Sequence, residues 1–151
     1  VYKRQIPGDA CGISAEQRVR ELAANLDVRD EFMELDPSAI FALPGALSQH
    51  RTRDLPTAVA GDAGRQDLDP LNAVHKLAGY MLLDALPSPT LTLATDAQVG
   101  FEIVRAAAAA GFGVVATTAG VTSMAVELAR ATNTVLVGEV GAERFSVYAG
   151  A

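Results

Sequence analysis

From Phe101 to Tyr148 the chain changes its hydrophobic period four times, and the changes predict helix, strand, helix, strand, strand with hardly a residue between them. Ile103, Val104, Ala107 and Ala108 recur at helical spacing, and Gly111 offers the backbone freedom that a helix C-terminus uses. Val114 to Ala116 is a short apolar, mostly β-branched run of the kind buried on both faces of a parallel sheet. Thr122 or Ser123 can cap a second helix whose apolar face is Met124, Leu128 and Ala131, with Glu127 and Arg130 outward. Val135 to Gly138 reads as another buried strand, and Phe145 to Tyr148 alternates in character as an edge strand would. Strands joined through helices imply right-handed crossovers, with helices on the sheet faces.

Upstream the pattern is looser. Pro7 to Gly12 is a loop by its Pro and Gly content, and Ser14 with Gln17 forms a capping box for a helix from Ala15 to about Leu26. Its apolar residues Val19, Leu22, Ala23 and Leu26 share one face. The charged stretch Asp27 to Asp36 leads to a second helix from Pro37 to Gln49, which Pro44 is expected to kink or end. Arg51 to Pro56 reads as a polar connection, Thr57 to Ala60 as a strand and Gly61 to Asp69 as a loop. Pro70 suits the first turn of a helix running to about Ala85, Pro87-Ser88-Pro89 breaks it, and Leu91 and Leu93 belong to a further strand.

Composition narrows the classes. A chain of 151 residues with 50% apolar content is expected to form one domain with an ample core. A net charge of -6 with no Lys/Arg cluster argues against nucleic acid as a partner. No apolar stretch is long and charge-free enough to cross a bilayer, so a soluble chain is expected. One cysteine excludes an internal disulfide, and with no secretory signal at the start a cytoplasmic, reducing location is the expectation. Val1 to Gln5 looks like the translated end of a sequencing adapter, which leaves 6–151 as the single α/β domain and makes the chain a fragment lacking its N-terminal part.

Cys11 is the residue with obvious covalent chemistry. A thiol in a glycine-flanked loop ahead of a helix N-terminus feels the positive end of the helix dipole, which favours the nucleophilic thiolate. Equally, free cysteine often serves as a small buried hydrophobe. Zinc-deaminase chemistry lacks its ligands, since the chain holds one cysteine and only His50 and His75, and no Gly-x-Ser-x-Gly elbow supports a serine hydrolase. Gly111-Phe112-Gly113 closes a helix and opens a strand, the reverse of a dinucleotide fingerprint. Asn72 and Lys76, one turn apart, can face a ligand or solvent, and His75 reads as a surface residue.

Asp9-Ala10-Cys11-Gly12-Ile13-Ser14-Ala15, Leu71 to Gly79, Phe101-Glu102-Ile103-Val104, Met124 to Ala129, Leu136-Val137-Gly138 and Val147-Tyr148 resemble, in order, successive landmarks of the formate dehydrogenase accessory sulfurtransferase family, FdhD. The resemblance covers nearly all of the chain from Asp9 and corresponds to that family's C-terminal domain. It implies a three-layer α/β/α sandwich of the cytidine deaminase-like type, and a homodimer. It implies further that sulfur passes from a cysteine desulfurase, as a persulfide on Cys11, to the guanine dinucleotide form of the molybdenum cofactor for formate dehydrogenase. The cofactor would then be a bound substrate, held where Glu139, Val140, Gly141, Ala142, Glu143 and Arg144 follow a strand, with no metal held by protein side chains.

The chain departs from the family wording at several places. Ser14 stands where the family has a second cysteine, so a two-cysteine relay is excluded. Arg53, Asp54 and Pro56 stand in a region where the family has Gly-Gly and a histidine, Asp67 and Asn72 are what remains of Asp-Val-Gly-Arg-His-Asn, and Asp96-Ala97-Gln98 replaces Ser-Gly-Arg. A connecting strand between the first two of these regions is expected to be deleted. The alternative function is therefore a catalytically degenerate relative that acts as a cofactor-binding or scaffolding protein.

Overall fold

The computed structural model describes residues 15–26, 28–83 and 92–150. Six strands form one mixed sheet in the order β2-β1-β3-β4-β5-β6. They are β1 (Thr57–Ala60), β2 (Ala63–Gln66), β3 (Thr92–Thr95), β4 (Val114–Thr117), β5 (Val135–Gly138) and β6 (Ser146–Ala149). The helices are α1 (Ala15–Ala23), α2 (Pro37–His50), α3 (Pro70–Leu83), α4 (Phe101–Ala109) and α5 (Ser123–Ala131).

The centre of the sheet is parallel. β3 pairs with β4 from Thr92↔Val114 to Thr95↔Thr117, and β4 pairs with β5 from Val114↔Val135 to Ala116↔Val137. Helices α4 and α5 make the two crossovers, as parallel neighbours require. Both flanks are antiparallel: β1 joins β3, β2 joins β1 through a two-residue loop with Gly61 at φ 55°, and β6 joins β5 as the edge.

Alternation along the strands separates two cores. On one face Ala58, Leu93, Val115 and Leu136 pack against Val19 of α1, Leu77 of α3, Val104 of α4 and Leu128 of α5. On the other Val59, Ala94, Ala116 and Val137 pack against Ile40 and Leu47 of α2. The result is three layers, α/β/α. Truncating a fully buried member such as Leu77 or Leu136 to alanine is expected to cost about 2–5 kcal/mol.

Several elements fall where the sequence places them. Gly111 has φ 84° directly after α4, and the Thr122 hydroxyl accepts from the Ala125 amide at 3.2 Å to cap α5. Pro44 lies inside α2 without ending it. The expected loop over Gly61 to Asp69 is corrected by β2, which pairs antiparallel with β1. The buried face of α5 is Ala125, Leu128 and Ala129, while Met124 and Ala131 are only partly buried, because small residues let α5 lie close to α4. The Ser14 cap, the Pro87-Ser88-Pro89 break and Leu91 lie outside the described residues.

Candidate functional site

Strands β3, β4 and β5 run in the same direction, so Thr95, Thr117 and Gly138 end at one edge of the sheet. In open α/β sheets ligands collect outside such carboxyl ends. The loops that follow are tied to one another. Thr117 Oγ1 donates to the Ala97 carbonyl at 2.7 Å and accepts the Ala119 amide at 3.0 Å. The Val99 amide reaches the Gly120 carbonyl at 3.1 Å, and the Thr122 amide reaches the Val99 carbonyl at 3.0 Å. A threonine at the end of each of the two central strands thus turns the chain and fastens the next loop.

The third loop, Glu139 to Arg144, joins the same platform. The Glu139 amide donates to the Ala119 carbonyl at 2.9 Å and the Val140 amide to the Thr117 carbonyl at 3.0 Å. Glu139 adopts a left-handed φ of 56°, unusual for a residue with a side chain, and Ser146 Oγ donates to its Oε2 at 3.0 Å. Val140 is buried in the α2-side core, and the Gly141 amide closes the turn on the Arg144 carbonyl at 2.9 Å. The first three amides of the loop are therefore engaged internally. Ala142, Glu143 and Arg144 form its exposed crest, and their amides meet no backbone acceptor among the described residues. That crest and the Arg144 guanidinium are donors suited to a phosphate, with the Glu143 carboxylate beside them opposing the same charge.

Next to this platform lies a cleft of about 140 Å³ between α2 and the loops after β3 and β4. Pro44, Leu47, Ser48, Arg51, Asp96 and Thr118 line it. Phe41 of α2 stacks at a tilt on Phe145, ring centroids 5.1 Å apart, which holds the helix against the base of the 139–144 loop. Asp96 Oδ1 accepts the Thr57 amide at 2.8 Å, while Oδ2 has no hydrogen-bond partner among the described residues. Arg51 is paired with Asp54.

The connection that carries Arg51 is pinned by one side chain. Gln66 Oε1 accepts from the Thr52 amide at 3.1 Å, the Thr52 hydroxyl at 2.8 Å and the Arg53 amide at 3.3 Å. Its Nε2 donates to the carbonyls of Arg53 and Leu55 and to Thr57 Oγ1. Sequence reasoning passed over Gln66 and the cleft, and met Asp96 only as a departure from the family wording. The available signal was Asp96 directly after a buried strand.

Asn72 and Lys76 both turn towards Asp67. Lys76 forms an ion pair with Asp67, and Asn72 Nδ2 donates to Asp67 Oδ1 at 3.5 Å. The Lys76 ammonium, helped by the Asp69 amide, holds the Asp67 carboxyl below its ordinary value of 3.8. His75 is exposed, as its place on the helix suggested. Among the described residues no three His, Cys, Asp or Glu side chains are grouped to hold a metal ion. Cys11 lies outside the described residues.

The model of the FdhD/NarQ family matches residues 2–151. The chain belongs to the FdhD/NarQ family. Similar proteins include the sulfur carrier protein FdhD of Thermoplasma volcanium, 26% identical over 97% of this chain and 57% of its own length. Its counterpart in Thermoplasma acidophilum is 30% identical over 92% of this chain and 53% of its own length. That of Anaeromyxobacter sp. strain K is 44% identical over a shorter region, 62% of this chain and 33% of its own. The chain spans little more than half the length of the Thermoplasma relatives. A crystal structure of a putative formate dehydrogenase accessory protein from Desulfotalea psychrophila shares the fold, with a TM-score of 0.67 at 20% identity over 87% of this chain and 60% of that one. No helix among the described residues is long and apolar enough to cross a membrane.

Proposed function

We propose that this FdhD/NarQ chain carries sulfur on Cys11 and passes it to a molybdenum cofactor during the maturation of formate dehydrogenase. The observation that carries this reading is the thiol count. Relatives named sulfur carrier proteins match 92–97% of the chain, and within it there is one cysteine to hold a sulfane sulfur.

The loading step is an exchange with no net redox change. The Cys11 thiolate attacks the outer sulfur of a persulfide on a cysteine desulfurase; a new S–S bond forms on Cys11, the donor S–S bond breaks, and the donor cysteine leaves as thiolate. The cofactor is the acceptor substrate. The exposed Ala142 to Arg144 crest supplies amides and one guanidinium for its phosphates, and the tied loops after β3, β4 and β5 supply a rigid floor. With Ser14 in place of a second thiol, one cysteine both accepts and delivers. We place the protein in the cytoplasm, where a reducing pool keeps the unloaded thiol free, and as a homodimer.

The test is to incubate the chain with a cysteine desulfurase and cysteine and to weigh it. The expected result is a mass gain of one sulfur atom that is absent in Cys11→Ala. An unmodified chain, under conditions that load the Thermoplasma acidophilum relative, would instead support a binding or scaffolding role without transfer.

A further inference from the structure

We infer that the outer edge of β6 is a docking site for an extended segment of a partner protein, which pairs with it as a further strand and sets one carboxylate against Arg130. The partner segment is thus a strand-forming peptide with alternating apolar side chains and a single acid. This inference is independent of the reading of Cys11 as a sulfur carrier, and it goes beyond that reading by naming a surface on which a protein partner is held.

Four observations carry it. First, β6 ends the sheet among the described residues, with β5 on one side and no strand on the other. A strand with one neighbour leaves alternate backbone N–H and C=O groups unpaired, which is a template for another chain. Second, β6 lacks the charges and prolines that guard such an edge. Ser146-Val147-Tyr148-Ala149 holds neither, and Val147 is 46% exposed. Its register shift opposite Leu136 and Val137 still leaves Ser146 and Val147 paired with Gly138 and Val137. The opposite edge differs: β2 carries Arg65, whose guanidinium donates to the Gly64 carbonyl at 2.7 Å and lies over the Tyr80 ring.

Third, a groove of about 490 Å³ follows that edge, lined by the stretch Val147 to Gly150 together with Phe32 and Arg130. Phe32, Val147 and Tyr148 give it apolar walls for the alternate side chains of an added strand, while the backbone edge supplies the hydrogen bonds. Fourth, Arg130 sets the chemistry. Its Nη2 donates to the Tyr148 carbonyl at 3.2 Å, which places the guanidinium at the edge, and it forms no ion pair among the described residues. The remaining N–H groups of the fork match a carboxylate. At the other end of β6 the Glu139 carboxylate accepts from Ser146 Oγ, so an acid is favoured at the Arg130 end alone. The net charge of -6 disfavours a polyacidic partner, which leaves a single carboxylate as the complement of this surface.

The test is an NMR titration of the isotope-labelled 151-residue chain with a short peptide of alternating threonine and valine that carries one central glutamate. It is repeated with glutamine in place of the glutamate, with the glutamate peptide N-methylated at every backbone amide, and with Arg130→Gln. N-methylation keeps the side chains and removes every donor that a strand ladder needs, so it tests pairing without altering the protein. The expected result is a saturable shift of the amides from Val147 to Gly150, with slower hydrogen exchange there, and no binding of the N-methylated form. Affinity should fall by about twofold to fivefold for the glutamine peptide, and by the same factor for the glutamate peptide on Arg130→Gln. No binding, shifts centred elsewhere, binding of the N-methylated form, or no preference for glutamate overturns the inference. Edge amides that shift on raising the chain concentration and ignore the peptide would give the edge to a second copy and overturn it as well. Since no thiol takes part, peptide binding by a chain that fails to load sulfur would overturn the sulfur reading alone, and a chain that loads sulfur without binding peptide would overturn this inference alone.

Discussion

The backbone amide of Thr57 donates to Asp96 Oδ1 at 2.8 Å, and the Asp96 amide returns a bond to the Thr57 carbonyl at 3.3 Å. This reciprocal pair joins the first residue of β1 to the first residue beyond β3. It extends the antiparallel β1–β3 pairing past the end of β3 and fixes the carboxylate at the cleft. Thr57 is fully buried, so its N–H has no access to water once the acceptor is removed. Asp96→Ala is therefore expected to lower unfolding free energy by about 1–3 kcal/mol, and Asp96→Asn, which retains the acceptor, to stay close to the parent. Urea denaturation checks both variants, and an alanine variant as stable as the parent would contradict the role given to this bond.

Gln66 is the other residue that shapes the cleft without lining it. Gln66→Ala removes the acceptor for the Thr52 and Arg53 amides and the donor for two carbonyls, with an expected cost of about 1–3 kcal/mol. Gln66→Glu keeps acceptors for the two amides but faces the Arg53 and Leu55 carbonyls with negative charge. Amide hydrogen exchange separates the cases: protection at Thr52 and Arg53 should be lost in the alanine variant and kept in the glutamate one.

The Asp67–Lys76 pair sets an acid limb. Because the folded-state value of Asp67 lies below 3.8, its contribution to stability is present above 3.8 and is lost as pH falls through the lower folded value. Lys76→Met removes the largest cause of the shift, so it should lower the melting temperature slightly above pH 4, where the pair contributes, converge with the parent at the acid end, and so flatten the fall below pH 4. A melting profile between pH 2 and 7 for both proteins reads this directly.

Legibility tracked burial. The runs Val114 to Ala116 and Val135 to Gly138 were readable as strands because each is buried on both faces and so apolar at every position. Ala63-Gly64-Arg65-Gln66 was not, since β2 is a half-buried edge with no hydrophobic alternation. Its glycine answers a tertiary demand instead: a Cβ on Gly64 would lie 2.3 Å from Cγ of His50 at the end of α2. In the site, the Glu139 to Arg144 turn could be located from its place after β5, but which amides face inward depends on Thr117 and Ala119, far away in sequence. Asp96 was visible only as a departure from the family wording, and its fixed orientation came from Thr57, a partner 39 residues earlier.

The measurement that bears most directly on sulfur carriage follows the atom itself. The chain is loaded by a cysteine desulfurase with cysteine radiolabelled at sulfur, desalted, and mixed with unsulfurated molybdenum cofactor, cofactor-free formate dehydrogenase and a thiol reductant, which supplies the two electrons that take sulfane sulfur to the sulfide level. The account predicts that label leaves Cys11, appears on the cofactor and brings formate dehydrogenase activity with it. Label that stays on the chain, or never enters it while a full-length family member is loaded alongside, would contradict it.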